Sequence, residues 1–275
     1  MKLIYAILLF ALPASAQTYL HPQAQKFLIA QQAAGYTPTG ANVNNAHHLG
    51  LHLLGACKDE GVTYLDLTAK LDMQFPIIGS TASSQGIDFI RLTAGTFIGS
   101  PTIGVDRFTC TGSGYFQSNY TPTANQTNYH LSVYSNTNEI ASNKVDIGNS
   151  AGQTQFLAGL IKQTLTAPSG SGATNIFATT GPSSTFTAVA STIGGFIFNR
   201  PSSTQEQEFA NGVQQGSTIT HNTTNTTPGV IWVGRDANVS TAVSTKSYSF
   251  AGAGKGLTSA EAASYYSAVI YKINH

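Results

Sequence analysis

The spacing of apolar and polar positions changes period once along this chain. Residues 22–34, "PQAQKFLIAQQAA", carry apolar side chains at helical spacing, with Pro22 suited to a first turn and Gly35 ending it. A second helix is predicted from about Asn42 to Lys58. It aligns Val43, Ala46, Gly50, Leu53, Leu54 and Cys57 on one face, and Gly61 lies beyond its end. A third short segment, "LTAKLDMQ", leads into "FPIIG", where Pro76 breaks it. From Ser80 onward the period is two. The alternation predicts strands at Ile87–Leu92, Val105–Cys110, Gly114–Ser118, Tyr129–Tyr134, Lys144–Ile147, Gln155–Lys162, Ile176–Thr179, Gly195–Asn199, Glu206–Ala210, Val213–Ile219, Val230–Gly234 and Ser247–Phe250. Clusters of Gly, Pro, Asn and Ser separate them. Many short strands at regular spacing, with no repeat of fixed period, argue for a sandwich or jelly roll and against a propeller or solenoid.

Two local signals sharpen this outline. In "EFANGVQQG", residues 208–216, Asn211 and Gly212 both tolerate positive φ, as a two-residue hairpin turn requires, and alternating runs flank them. Near the C-terminus, Thr258 and Glu261 form a capping box ahead of the apolar stripe Tyr265, Tyr266, Val269 and Ile270. That helix is expected to pack on the end of the sandwich. Its polar face offers only Lys272 as a cation, which argues against an amphipathic membrane helix.

Composition narrows the partners. Charged residues are 9 % of the 275 and the formal net charge is +1, so no basic stripe is available for nucleic acid. Hydrophobic residues are 41 %, enough for a sizeable core, and the polar remainder is mostly Ser, Thr, Asn, Gln and Gly. The N-terminus, "MKLIYAILLFALPASAQT", has a positive start, an apolar run over Leu3–Leu12 and an A-x-A site at Ala14–Ala16. It reads as a secretory signal peptide with Gln17 as the mature first residue; the alternative is an apolar N-terminal segment that is kept. Residues 17–79 then form a helical lead-in and 80–275 the sandwich with its terminal helix. Cys57 and Cys110 can pair in an oxidising compartment; the alternative is two buried thiols.

Several stretches resemble a known family. "EFANGVQQGST", "GVIWVGRD" and "SYSFAGAGKGLTSAEAASYYSAVIYKIN" resemble the hairpin, following strand and closing strand–helix of concanavalin A-like, laminin-G-like jelly rolls. "KFLIAQQAAGYT", "LGLHLLGACKDEGV" and "FPIIGSTAS" resemble the helical lead-in of the variety found in bacteriophage virion proteins, over residues 22–272. The resemblance implies a mainly β jelly-roll sandwich with a small N-terminal helical region and a C-terminal helix. It also implies a non-enzymatic structural or attachment protein on a virion surface, contacting other virion proteins and host glycans; the low charge and the apolar N-terminal segment, separately, point to a homo-oligomer. The secretory leader supports a second reading, a secreted bacterial lectin-like protein. A third is a glycoside hydrolase of the same fold.

Candidate chemistry is sparse. Glu occurs at positions 60, 139, 206, 208 and 261, and none begins the E-x-D-x-x-E pattern of the glucanase branch. Glu206 and Glu208 share a strand face, either as a catalytic pair or, by preference, as the solvent side of an alternating strand. His48 and His52 stand one helical turn apart, a spacing that can bind zinc, but no third ligand is evident and no metal is expected. Calcium would suit a lectin-like fold at Asp146, Asp236 and Asn238, yet acidic residues are too few to indicate it. For glycan binding the candidates are Trp232 with Arg235 and Asp236, and Tyr134 with Asn136.

Overall fold

The computed structural model describes residues 20–123, 127–138, 144–149, 160–164, 174–179, 186–189, 191–220, 229–235 and 244–275. The leader, Asp236 and Asn238 lie outside them. The chain runs α1 (Pro22–Ala33), α2 (Gly40–Leu54), β1 (Cys57–Asp59), β2 (Val62–Tyr64), a 3-10 turn over Thr68–Lys70 and β3 (Leu71–Phe75). Next come α3 (Ala82–Gln85), β4 (Thr96–Ile98), β5 (Thr102–Gly104), β6 (Arg107–Thr109), β7 (Tyr115–Gln117), β8 (Tyr129–Ser135) and β9 (Lys144–Asn149). β10 (Leu160–Thr164), β11 (Thr174–Thr179), β12 (Phe186–Val189), β13 (Gly194–Ser202), β14 (Gln205–Ala210), β15 (Val213–Thr220), β16 (Ile231–Val233) and β17 (Ser247–Gly254) follow, and α4 (Ser259–Asn274) closes the chain.

Strands β3 to β17 make two antiparallel sheets, ordered β12-β11-β10-β9-β16-β7-β4 and β15-β14-β13-β8-β17-β6-β5 with β3 added to β17 in the second, and β1 and β2 form a separate two-stranded sheet. Alternation along the strands sorts side chains into two hydrophobic layers. Phe196 and Phe198 of β13, Leu131 and Val133 of β8 and Tyr248 of β17 face Phe116, Ile147, Ile231 and Val233 of the other sheet. Ile197, Tyr134, Phe209 and Phe250 point the opposite way, into a second layer with Phe27, Leu49, Leu53, Tyr265 and Val269 of the helices. The molecule is thus a mainly β sandwich with one sheet covered by helices.

Three helices stop or start where local chemistry dictates. Pro22 opens α1, and the capping boxes Thr39–Asn42 and Thr258–Glu261 open α2 and α4. α2 ends at Leu54, before the predicted Lys58, because Gly55 turns extended with φ −142°. Glu60 (φ 46°) and Gly61 (φ 82°) then reverse the chain into the β1–β2 hairpin, which carries Cys57 on a strand rather than a helix. Cys57 and Cys110 are free thiols in different hydrophobic layers, so the disulfide alternative is not formed.

Other expectations are revised. "LDMQF" is strand β3, since its residues pair with Ala251–Gly254. Ile87–Leu92 is not a strand: the Asp88 carboxylate accepts from the backbone N–H groups of Gln74, Ile90 and Arg91, holding the segment in a turn that ends at Leu92 with φ 59°. α4 lies across the outer face of the larger sheet, not at the end of the sandwich. Tyr265 reaches down from it to Ser132 Oγ and Gln74 Oε1, both at 2.6 Å. The Asn211–Gly212 hairpin is as read: both residues have positive φ (52° and 77°), with Ala210 paired to Val213.

Candidate functional site

A polar cleft opens where four pieces of chain meet. The β5–β6 hairpin brings Val105, Asp106 and Arg107 to its tip, Asn136 directly follows β8, and Asn45 comes from α2. The last turn of α4 supplies Lys272, Ile273 and Asn274. The cavity is about 350 Å³, within the range of small-ligand sites. Its walls are built, not incidental. Asp106 sits at φ 52° and exchanges hydrogen bonds with Gly79: its N–H donates to the Gly79 carbonyl (2.8 Å) and its Oδ1 accepts from the Gly79 N–H (2.6 Å). Asn136 is fixed by its N–H to the Ser247 carbonyl (2.8 Å) and by Nδ2 to Ser249 Oγ (2.7 Å).

Lys272 is the unexpected member. Instead of lying on a solvated helix face it is 2 % exposed, and Nζ donates to the Ile77 and Ser249 carbonyls, both at 3.3 Å. Burial brings its pKa down to about 8, against the pull of Asp106. A cation, a carboxylate, a guanidinium and several amides therefore line one concavity, which suits a ligand bearing many donor and acceptor groups.

The other sequence candidates are scattered. Tyr134 is buried beside Gly195 and Tyr266 of α4, opposite Phe250 in the sheet, so it offers no platform; the alternation of β8 turns it into the helical layer. Trp232 and Arg235 are brought together, away from Asn136. Ile231 and Val233 point into the core, so Trp232 takes the outer face of its sheet, half-buried. Its ring lies 5.1 Å from that of Tyr115, and the Arg235 guanidinium covers both, 4.7 Å from Tyr115 and 5.5 Å from Trp232.

Glu206 and Glu208 are not on a solvent face. They are 1 % and 3 % exposed and point, like Ala210, toward the interior side of β14. Arg200 and Tyr129 are buried near them, with the Arg200 guanidinium 5.8 Å from the Tyr129 ring centre. Burial raises the Glu206 carboxyl to about 7, Arg200 pulling the other way. Asp146 faces the interior: it is 1 % exposed, pairs with Lys246 Nζ at 3.2 Å and accepts from the Tyr248 hydroxyl at 2.6 Å. Lys272 was read only as the cation of a polar helix face, and Arg200 stands among uncharged neighbours, so neither was singled out as a site residue; Asp106 and Arg107 stand side by side in "GVDR", a turn signal that could have pointed to both.

No protein-family model and no curated protein sequence matches the chain. Solved structures do. Domain 4 of AbnA, a GH43 extracellular arabinanase from Geobacillus stearothermophilus in complex with arabinotriose, is similar at TM-score 0.50 and 12 % identity, over 72 % of this chain and 98 % of that one. Trypanosoma rangeli sialidase in complex with sialic acid is similar at 0.51 and 13 %, over 82 % of this chain but only 38 % of the sialidase. A structure describing the ganglioside-dependent cell entry of botulinum neurotoxin type C is similar at 0.51 and 10 %, over 74 % of this chain and 52 % of that one. The non-enzymatic expectation is thereby corrected, since chains of an arabinanase and a sialidase share this sandwich. At these identities the likeness establishes the fold alone, a β-sandwich.

Proposed function

We propose that the chain engages carbohydrate, taking an oligosaccharide into the cleft between the β5–β6 hairpin and α4. The observation that carries this reading is the cleft itself: about 350 Å³, with Asn45, Asp106, Arg107, Asn136 and Asn274 turned toward one space. Planar amide, carboxylate and guanidinium groups can each donate or accept at neighbouring hydroxyls. Val105, 71 % exposed at the rim, supplies apolar cover for a sugar's C–H face. The similar structures whose descriptions mention arabinotriose, sialic acid and gangliosides support the same class of ligand. We infer that the action lies outside the cell or on a particle surface, among other surface proteins and further copies of the chain; the N-terminal stretch read as a secretory leader supports this.

A glycan array followed by calorimetry tests the cleft. Arg107→Ala is expected to weaken binding at least tenfold, the loss of about 1.4 kcal/mol that one charge-assisted hydrogen bond accounts for, and Asn136→Ala by about threefold to tenfold, its amide being neutral. Trp232→Ala is expected to leave it unchanged. Absence of binding across neutral and acidic glycans overturns the reading, and loss of binding only in Trp232→Ala moves the site to the outer sheet face. Mass spectrometry across a density gradient of the native source separates the particle-borne from the freely secreted form, the latter beginning at Gln17.

A second reading is glycoside hydrolysis. Glu206, with its carboxyl raised to about 7, has the proton affinity a general acid needs near neutral pH. Turnover on a polysaccharide panel that disappears in Glu206→Gln supports it; turnover unchanged in that variant removes Glu206 from the chemistry.

A further inference from the structure

The sequence leaves His48 and His52 one turn apart on α2 without a third ligand. The fold supplies it. Gly55 ends α2, and the positive-φ pair Glu60–Gly61 folds β1 against β2, which returns Asp59 to the helix it has just left. The Asp59 carboxylate oxygen Oδ2 then lies 3.0 Å from His48 Nδ1 and 2.9 Å from His52 Nε2. All three donor atoms fall within 4.8 Å of one another.

The two rings are held in place by packing. His52 is fully buried and stacks flat on Tyr64, centroids 3.7 Å apart at 3°, with the edge of Tyr271 at 4.7 Å. His48 rests against the same Tyr271, also at 4.7 Å. The opposite side is open: the side chains of His48 and Asp59 are 29 % and 30 % exposed. Two fixed imidazoles and one carboxylate on a wet rim make a three-ligand site with room for a fourth, solvent ligand.

We propose that His48, His52 and Asp59 bind a divalent transition-metal ion, with Zn²⁺ the best match to the donor set. Imidazole nitrogen disfavours calcium and magnesium, which take oxygen ligands. Tetrahedral ligands at zinc distances of about 2.1 Å stand about 3.4 Å from one another. Asp59 Oδ2 needs to move only about half an ångström away from each imidazole nitrogen, and the two nitrogens, within 4.8 Å of each other, need to settle at that same spacing. The metal would then bridge α2 and the β1–β2 hairpin, next to the Tyr271 end of α4.

The test uses the untagged full chain stripped with a chelator. Zn²⁺ calorimetry is expected to give one equivalent bound, and Co²⁺ substitution an intense tetrahedral visible spectrum. Zn²⁺ is also expected to raise the melting temperature. His48→Gln and Asp59→Asn, both at half-exposed positions, should lose the Co²⁺ spectrum and weaken Zn²⁺ binding by more than the roughly 10–100-fold that losing an outer-shell partner costs. The Co²⁺ spectrum of the unsubstituted chain needs no variant to fold, so a weak, octahedral spectrum there overturns the proposal by itself. So does the absence of stoichiometric Zn²⁺ binding. Binding retained by both variants would assign the ion to other rings, such as His47 or His275, and equally overturns it.

Discussion

Tyr265 ties α4 to two strands of the sheet beneath it through one oxygen. Its hydroxyl, fully buried, donates to Gln74 Oε1 on β3 and shares a hydrogen bond with Ser132 Oγ on β8, while its ring packs edge-on to Phe250 of β17. The space around the hydroxyl is closed: a methyl group at Gly252 would collide with all three polar partners. Removing the oxygen strands two buried polar groups with no route to water. Tyr265→Phe should therefore cost about 1–3 kcal/mol in urea or guanidinium unfolding. If stranded polarity is the cause, the Ser132→Ala/Tyr265→Phe double variant should cost less than the sum of the two single changes. Strict additivity would mean that the loss is one of packing. None of this was legible from residues 258–275, where Tyr265 appears only as part of an apolar stripe. The stripe reveals that the residue is buried; which polar atoms meet it is decided by strands more than a hundred residues away.

At the scale of elements, what the sequence disclosed depended on whether the cause was local. The Asn211–Gly212 turn was legible because positive φ at two adjacent positions is a demand that few residues meet. The turn is also locked from outside. Asn211 N–H donates to the Gly195 carbonyl (2.7 Å), and Asn211 Oδ1 accepts from the Gly195 N–H (3.0 Å), tying the hairpin to β13. Asn211→Ala is expected to cost about 2–3 kcal/mol, combining left-handed strain with the lost hydrogen bond. Asn211→Gly should recover the strain portion and remain destabilised by only about 1 kcal/mol, as chemical denaturation can resolve. Equal losses in the two variants would show that φ carries no weight here. By contrast, β3 and the turn at Asp88 were misread, because their causes are distant. β3 is a strand through its pairing with β17, and Asp88 bends its segment by bonding, among others, the backbone of Gln74. Asp59 belongs with these: only the reversal at Glu60–Gly61 reveals what it faces.

Across the whole molecule, low charge concentrates electrostatics in a few buried groups whose proton affinities are pulled in opposite directions. Burial raises Glu206 to about 7 and Asp88 to about 6, lowers Lys272 to about 8 and lowers His130 to about 4. A raised carboxyl holds a proton in the folded state after the unfolded chain has released it. Stability from Glu206 is therefore full below about 4.5 and declines as pH rises to about 7. Asp88 acts in the same sense between about 3.8 and 6. His130 opposes them: neutral when folded, it loses stability as pH falls from 6.5 toward about 4. Lys272 lets stability rise between about 8 and 10.5, where the unfolded chain still binds the proton that the folded one has lost. The summed curve is shallow near neutrality, so the informative quantity is a difference. Glu206→Gln fixes a neutral amide where the carboxyl must otherwise ionise. Relative to the unsubstituted chain, its unfolding free energy should stay level below about pH 4.5, climb through the interval and level off above about 7, gaining at most about 3 kcal/mol over the 2.5-unit shift. A difference that ignores pH would mean Glu206 is as acidic folded as unfolded, and the case for it as a general acid would fall with the titration.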